Sequence, residues 1–298
     1  MTAPQTAPTR RIGSLTASVL GLGAMPLSMG RGEPAPPERA TATIHAALDA
    51  GITLIDTADI YAPSWDTMGH NEQLVAEALR TWGGDRSSVV IASKGGITRS
   101  AEGGGRDGSP TYLRAALEKS LRDLDVDVLD LYYWHRPDRS IRYAEGVEVL
   151  AAFQQEGLIR EVGISNANVE EIDVARDVLG EGGLAAVQNE FSPTFFHTSL
   201  RELRHCAEHG IAFVPWSPLG GTGGGASAVG ERFPQIQRIA EARSVSPQQV
   251  VLAWELSLSE HVVPIPGASR PESIADSADA MTLDLGSEDL EQLNQIIA

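Results

Sequence analysis

Leu131-Tyr132-Tyr133-Trp134-His135 is an apolar and aromatic run that stops on an ionisable side chain. The pattern occurs twice upstream, where Thr53-Leu54-Ile55 leads into Asp56 and Val90-Ile91-Ala92-Ser93 leads into Lys94. It recurs downstream, with Ser165-Asn166, Gln188-Asn189, Trp216-Ser217 and the stretch 267–270 each closing a strand-like run. An open doubly wound sheet gathers its chemistry at one switch point. A barrel of parallel strands instead brings polar groups from the C-terminal ends of many strands to one mouth. The distribution over seven strand ends therefore predicts an α/β chain folded as a single (β/α)8 barrel.

The surrounding sequence fits that reading. Strand-like runs rich in β-branched residues occur at 19–22, 53–55, 89–92, 128–134, 162–164, 185–187, 211–214 and 262–265, alternating with amphipathic stretches of helical period. Ser109-Pro110, Ser199 and Ser246-Pro247 give helix starts. Gly51, Gly157 and Gly210 stand where left-handed caps lead into the next strand. The length of 298 residues suits one barrel of about 250 residues plus insertions. Residues 1–9 read as a flexible tail and 10–298 as the barrel domain, with a small hairpin over 10–18 crossing its bottom. The formal net charge of −17 argues against binding to nucleic acid or to an anionic membrane surface. No apolar run reaches the roughly 18 residues of a membrane span. The single cysteine, Cys206, rules out an internal disulfide and suits a reducing cytoplasm.

Asp56, Tyr61, Lys94 and His135 together suggest a proton-delivery site. A free phenol ionises near pH 10, so a tyrosine serving as an acid needs a nearby cation to stabilise its phenolate. Lys94 is the expected cation and Asp56 the carboxylate that keeps it charged in a partly buried mouth. His135, neutral and carrying a donor N–H, is the expected anchor for a substrate oxygen.

These segments resemble a known family. Ile55-Asp56-Thr57-Ala58-Asp59-Ile60-Tyr61, Ser93-Lys94-Gly95-Gly96 and Tyr132-Tyr133-Trp134-His135-Arg136-Pro137-Asp138 are similar to the aspartate–tyrosine, lysine and histidine segments of the aldo-keto reductases. Further similar stretches follow at 157–166, 188–192, 217–220 and 264–269, so the resemblance runs in order from about residue 12 to 298. It implies an NADPH-dependent reductase of a small-molecule aldehyde or ketone, with NADH a possible substitute. Tyr61 would be the general acid, Lys94 and Asp56 its tuners and His135 the carbonyl orienter. Ser165, Asn166 and Gln188 would hold the nicotinamide carboxamide, and Trp216 would stack on its ring. Ser217, Leu219 and Gly220 would approach the pyrophosphate, and Gly267, Ser269 and Arg270 the adenosine end with its 2′-phosphate. The sequence departs from the family at Trp216, where tyrosine is usual, and at Ser273 and Ser277, where arginine and asparagine are frequent. A third departure is the long link 62–70, which suggests that Trp65 lines the substrate pocket together with the loops 99–109 and 191–197.

Gly21-Leu22-Gly23 lacks the third glycine and the helix start of a dinucleotide fingerprint. His205 and His209 share a helix face but show no third metal ligand in the sequence, so a solvated face is expected and no metal is assigned. Asp125, Asp127 and Asp130 read as structural or solvent-facing. A lysine at a strand end also suits a Schiff-base lyase using Lys94, and a non-catalytic NADPH-binding protein is a further alternative. Oligomeric state is not legible.

Overall fold

Successive side chains of a strand point to opposite faces, and that parity decides which residues of this chain enter the interior. The computed structural model describes residues 7–30, 33–221 and 224–298. It opens with the antiparallel pair β1 (Thr9–Ile12) and β2 (Leu15–Ser18), then β3 (Gly21–Gly23), α1 (Pro37–Asp49), β4 (Leu54–Asp56), α2 (His70–Thr81) and β5 (Val90–Gly95). A second hairpin, β6 (Ile97–Ser100) with β7 (Gly103–Arg106), precedes α3 (Pro110–Asp123), β8 (Leu129–Trp134), α4 (Tyr143–Gln155), β9 (Ile159–Ser165), α5 (Val169–Leu179) and β10 (Leu184–Gln188). Then come α6 (Ser199–Glu208), β11 (Ala212–Phe213), α7 (Gly225–Arg232), α8 (Pro234–Arg243), α9 (Pro247–Ser257), α10 (Pro271–Asp279) and α11 (Ser287–Asn294).

Seven of the strands form one parallel sheet in the order β11-β10-β9-β8-β5-β4-β3. It is curled. Leu54, Ala92, Leu131, Tyr133, Ala186 and Ala212 make an apolar interior, while Ile55, Ile91, Tyr132, Trp134, Val162 and Phe213 pack outward into the helix layer. Asp56 lies two residues after Leu54, Lys94 two after Ala92, His135 two after Tyr133 and Gln188 two after Ala186, so each inherits the inward parity at its strand's C-terminal end. The expected first hairpin is present, and Ile12, Leu15 and Ala17 plug the opposite end of the interior. Glu161 fixes the hairpin by accepting from the Ser14 amide at 2.7 Å. Strand β1 begins at Thr9, and residues 1–6 of the expected tail lie outside the described residues.

The eighth strand-like run, 262–265, is not a regular strand. It makes isolated parallel bridges, Phe213 with Val262 and Trp216 with Ile265 on one side and Gly23 with Gly267 on the other. The Val263 and Ile265 amides donate to the carbonyls of Phe213 and Pro215, at 2.8 and 3.1 Å. The carbonyls of Pro264 and Pro266 accept from Gly21 and Gly23, at 2.9 and 3.0 Å. Prolines at the two positions facing β3 have no N–H to return, so the ladder on that side is one-way. The segment nevertheless hydrogen-bonds to both edge strands of the sheet.

Among the expected helix starts, Ser109 and Ser246 cap α3 and α9 by accepting from the amides of Tyr112 and Gln249. Ser199 instead opens α6 without a side-chain cap, and Thr198 precedes it in helical conformation. Gly51, Gly157 and Gly210 adopt positive φ as expected. A Cβ on Gly23 would lie 2.8 Å from the Ile265 carbonyl oxygen, a backbone atom that cannot swing aside. Gly23→Ala is accordingly expected to lower stability by about 1–3 kcal/mol, read from urea unfolding. An unchanged midpoint would mean that the contact between β3 and 262–267 is not tight.

Candidate active site

The Lys94 ammonium is fully buried and ion-paired with Asp56. It also donates to the Thr57 carbonyl at 2.8 Å and approaches the Tyr61 hydroxyl at 3.4 Å. The other oxygen of Asp56 accepts from the Gln188 side-chain amide at 2.7 Å, so one carboxylate joins β4, β5 and β10 across the interior. The Tyr61 ring meets His135 edge-on, with centroids 5.8 Å apart and planes at 83°. The four residues singled out from the sequence thus converge on one place. They come from β4 and the turn after it, from β5 and from the end of β8.

Above them lies a cavity of about 550 Å³. Asp56, Tyr61 and His135 line it, as do Ser165, Asn166, Gln188, Trp216, Ser217, Leu219, Gly267 and Ser269. Lys94 sits beneath its floor. Gly220 and Arg270 are not on its wall; Arg270 is exposed at the start of α10 and donates to Ser273 at 3.2 Å. Residues 222 and 223, just after the stretch Ser217 to Gly220 expected at the pyrophosphate, lie outside the described residues. The remaining wall is largely apolar, with Met25, Pro26, Met29, Ile60 and Ile97. Trp65 is 49% exposed and absent from the wall, so the long link 62–70 does not bring it into the cavity. Its 3₁₀ turn is held locally by Ser64 and Thr67 and points it to solvent. Neither of the other two expected loops, 99–109 and 191–197, contributes to the wall; Ile97, just ahead of the first, does, and Phe191 is core.

The polar cluster at the strand ends is internally ordered. Asn166 Nδ2 donates to the His135 carbonyl at 3.0 Å and to Ser165 Oγ at 2.9 Å, and Ser165 Oγ donates to the Gln188 carbonyl at 2.8 Å. Asn166 and Ser217 both hold left-handed backbone conformations, φ 59° and 54°. Such conformations in residues other than glycine cost energy and gather at functional sites.

Electrostatics divide the roles. Burial would lower the Lys94 pKa, but Asp56 and Tyr61 outweigh it and the group is held above its ordinary value as an ammonium. Burial, then Lys94 and Arg136, push His135 well below its usual value, so its ring is neutral as expected. Its buried Nδ1 has no partner among the described residues. Tyr61 corrects the sequence reading. Burial raises its pKa and Asp56 adds to the rise, and together they exceed the lowering by Lys94. The phenol is therefore a firmly protonated group beside a cation, not one already acidified.

Behind this layer lies a buried acidic layer that sequence reasoning did not single out. Thr57 donates to Asn71 at 2.6 Å, and Asn71 donates to the Ala24 carbonyl at 2.9 Å and Ser28 Oγ at 2.8 Å. Glu72 accepts from Ser93 at 2.6 Å, and Asp59 has no side-chain partner among the described residues. Asn71-Glu72 follows the long link directly, and two polar residues opening an apolar helix face are the signal that was available. Asp130, one of the three aspartates expected to be structural or solvent-facing, accepts from the Ile91 amide at 2.8 Å. Spatially, His205 and His209 do gain a third neighbour, since Asp173 bonds His205 at 2.8 Å. Arg176 bonds both Asp173 and His209, at 2.9 and 3.0 Å, and so puts a guanidinium among those ligand atoms. Cys206 is buried and free, with its thiol pushed up by burial.

With that geometry in view, the comparisons with known proteins identify the class. The profile of the Aldo/keto reductase family matches residues 19–298. The chain belongs to that family. It is 32% identical to a probable aldo-keto reductase 1 of Glycine max, over 94% of this chain and 85% of that one. It is 36% identical to a 6-dehydroglucose reductase of Novosphingobium aromaticivorans, over 82% and 81%. Among solved structures, an aldo-keto reductase from Klebsiella pneumoniae in complex with NADPH superposes with a TM-score of 0.81 at 28% identity, covering 98% of this chain and 95% of that one. Among the described residues, no helix is long and apolar enough to cross a membrane.

Burial pushes the Glu72 carboxyl from 4.5 up to about 7. Between those values only the folded chain holds the proton, so stability falls as pH rises through that window, by on the order of 3 kcal/mol. Glu72→Gln is expected to flatten the fall in melting temperature between pH 5 and 8, leaving the part due to Asp59. An unaltered slope would show that Glu72 ionises at its ordinary pH.

Proposed function

We propose that the chain catalyses the reduction of a small aldehyde or ketone by NADPH, or the reverse oxidation, with Tyr61 passing the proton. The observation that carries this reading is the meeting of Tyr61, Lys94, Asp56 and His135 under one cavity. A nicotinamide cofactor, when bound, supplies hydride to the carbonyl carbon. The residues present suit such a group. Asn166 spends both amide hydrogens on protein acceptors, and its Oδ1 takes no bond from the described residues, so it is free to accept from a carboxamide. Trp216 gives the cavity an aromatic face on which a planar ring can stack. Ser165 and Gln188 stand beside Asn166. Gly220, Gly221 and Gly224 hold positive φ, and a Cβ on Gly225 would lie 2.5 Å from the Gly220 carbonyl oxygen, so the chain turns tightly where Ser217, Leu219 and Gly220 would meet a pyrophosphate. Gly267, Ser269 and Arg270 at the start of α10 are the residues for the adenosine end, with Arg270 favouring NADPH over NADH.

The chemistry of the side chains follows from their environment. His135, neutral, donates to the substrate oxygen and holds it near the Tyr61 hydroxyl. As the oxygen gains electron density it takes the phenolic proton, and the phenolate left behind faces the Lys94 ammonium. Asp56 keeps that ammonium charged and fixed. Burial keeps Tyr61 protonated until this moment, so the cation acts mainly on the transition state and not on the resting phenol. Met25, Met29, Ile60 and Ile97 give the cavity an apolar side against which the rest of a substrate can pack. A Schiff-base role for Lys94 is disfavoured, because its amine is fully buried, ion-paired and held as an ammonium.

We also infer that residues 10–298 form one domain and that its sheet closes as a (β/α)8 barrel. The bonds from 262–267 to both β11 and β3 support the closure. A cytoplasmic setting accords with the lone free cysteine.

Tyr61→Phe is expected to lower turnover by about 10²- to 10⁴-fold with little change in NADPH affinity, followed as aldehyde-dependent loss of cofactor absorbance. Equal rates in the two proteins would exclude Tyr61 as the acid. Arg270→Ala is expected to weaken NADPH binding about tenfold while sparing NADH, measured by quenching of tryptophan fluorescence. Parallel weakening of both cofactors would remove Arg270 from the 2′-phosphate.

A further inference from the structure

We propose that Arg136 is the anchor for an anionic group, a carboxylate or phosphate, carried by the substrate, so that the preferred substrates are oxo acids or phosphorylated carbonyl compounds. The proposal deepens the reductase reading and rests on it.

Arg136 directly follows His135, the proposed oxygen anchor, and lines the same cavity as Tyr61 and His135. It is half-buried, and it makes no hydrogen bond and no ion pair with the described residues. This sets it apart from the other buried or partly buried cations nearby. Lys94 is neutralised by Asp56. Arg99, on β6, is spent on the carbonyls of Ile60 and Ala62 at 2.8 and 2.9 Å, where it pins the hairpin to the Tyr61 turn. Arg39 also lines the cavity, but it is exposed on α1. Glu190, the acidic side chain whose charge acts on Arg136, does not come within ion-pair distance of it.

A half-buried guanidinium with no hydrogen bond or close ion pair has lost water contacts that the more distant charge of Glu190 only partly replaces. Burial and the like charge of Arg106 both work against the cation at Arg136. An anionic oxygen pair matches its planar fork of donors and would recover that cost. The chain's net charge of −17 repels anions in general. A substrate anion must therefore be captured by a placed cation, and Arg136, beside His135 on the cavity wall, is where the cavity offers a half-buried one. The two ends of such a substrate are then held separately, its carbonyl oxygen between Tyr61 and His135 and its anionic group at Arg136.

The test compares succinic semialdehyde with its methyl ester, and glyceraldehyde 3-phosphate with glyceraldehyde, in the wild-type protein and in Arg136→Leu and Arg136→Lys. The wild type is expected to favour at least one anionic member of these pairs in kcat/KM. Arg136→Leu is expected to reduce that anionic-to-neutral ratio about 10- to 100-fold. Arg136→Lys, with a charge but no fork, falls between. Whichever pair shows the preference identifies carboxylate or phosphate. Wild-type ratios near one, or a ratio unmoved by Arg136→Leu, would overturn the proposal while leaving the reductase reading intact. So would a loss confined to NADPH affinity, which would assign Arg136 to the cofactor. Calorimetric titration with glutarate and with inorganic phosphate supplies a readout without turnover. At least one is expected to bind the wild type and to be lost in Arg136→Leu, and absence of binding by both would overturn the anion site. Failure to consume NADPH with any of the four carbonyl compounds would instead remove the reductase reading, and the titration alone would then decide the anion site.

Discussion

The buried ion pair between Lys94 and Asp56 is the constraint on which the rest of the site depends. Neither charge could stay in an apolar interior alone, since removing one partner of such a pair costs on the order of 3–5 kcal/mol. Each is also tied to a second group, Lys94 to the Thr57 carbonyl and Asp56 to the Gln188 amide. These ties run between strands that are distant in sequence, so the position of the ammonium under Tyr61 is set by the sheet. In the proposed reaction this fixed cation meets the phenolate as it forms, with no reorganisation required at that instant.

The sheet supplies that precision through parity. On β4, β5 and β10, Asp56, Lys94 and Gln188 each stand two positions after an apolar residue facing inward, so the interior changes from apolar to polar within one residue pair. Gly163 shows how closely the interior is packed. A Cβ there would lie 2.4 Å from the ring of Tyr133, which itself lies 5.9 Å from the Lys94 ammonium. Small residues on one strand thus leave room for large ones on the next, and the aromatic ring shields the ion pair from water.

Resting and reacting states ask opposite things of Tyr61. Burial and Asp56 favour the phenol, Lys94 favours the phenolate, and in the resting chain burial prevails. The acidic layer behind the site adds to this balance, because Asp59 also raises the Tyr61 pKa and is itself pushed well up by burial and by Glu72. The site is therefore built on groups whose charges are costly, which accounts for the number of hydrogen bonds from Thr57, Asn71 and Ser93 that hold it in shape.

By itself the sequence determined the alternation of strands and helices, the identity of the four convergent residues and the hairpin over 10–18. These are carried by local patterns: side-chain period, glycine at left-handed turns, and ionisable residues placed at the ends of apolar runs. The tertiary structure decided what depends on distance and solvent. It showed that prolines at 264 and 266 reduce the last run to bridges, that Trp65 faces solvent, and that Tyr61 is held protonated by burial. It also showed that Arg136, read in the sequence only as part of a motif, stands at the cavity with no ion pair or hydrogen bond among the described residues. Charge balance and desolvation are sums over neighbours brought together from the whole chain, and no local stretch of residues contains them.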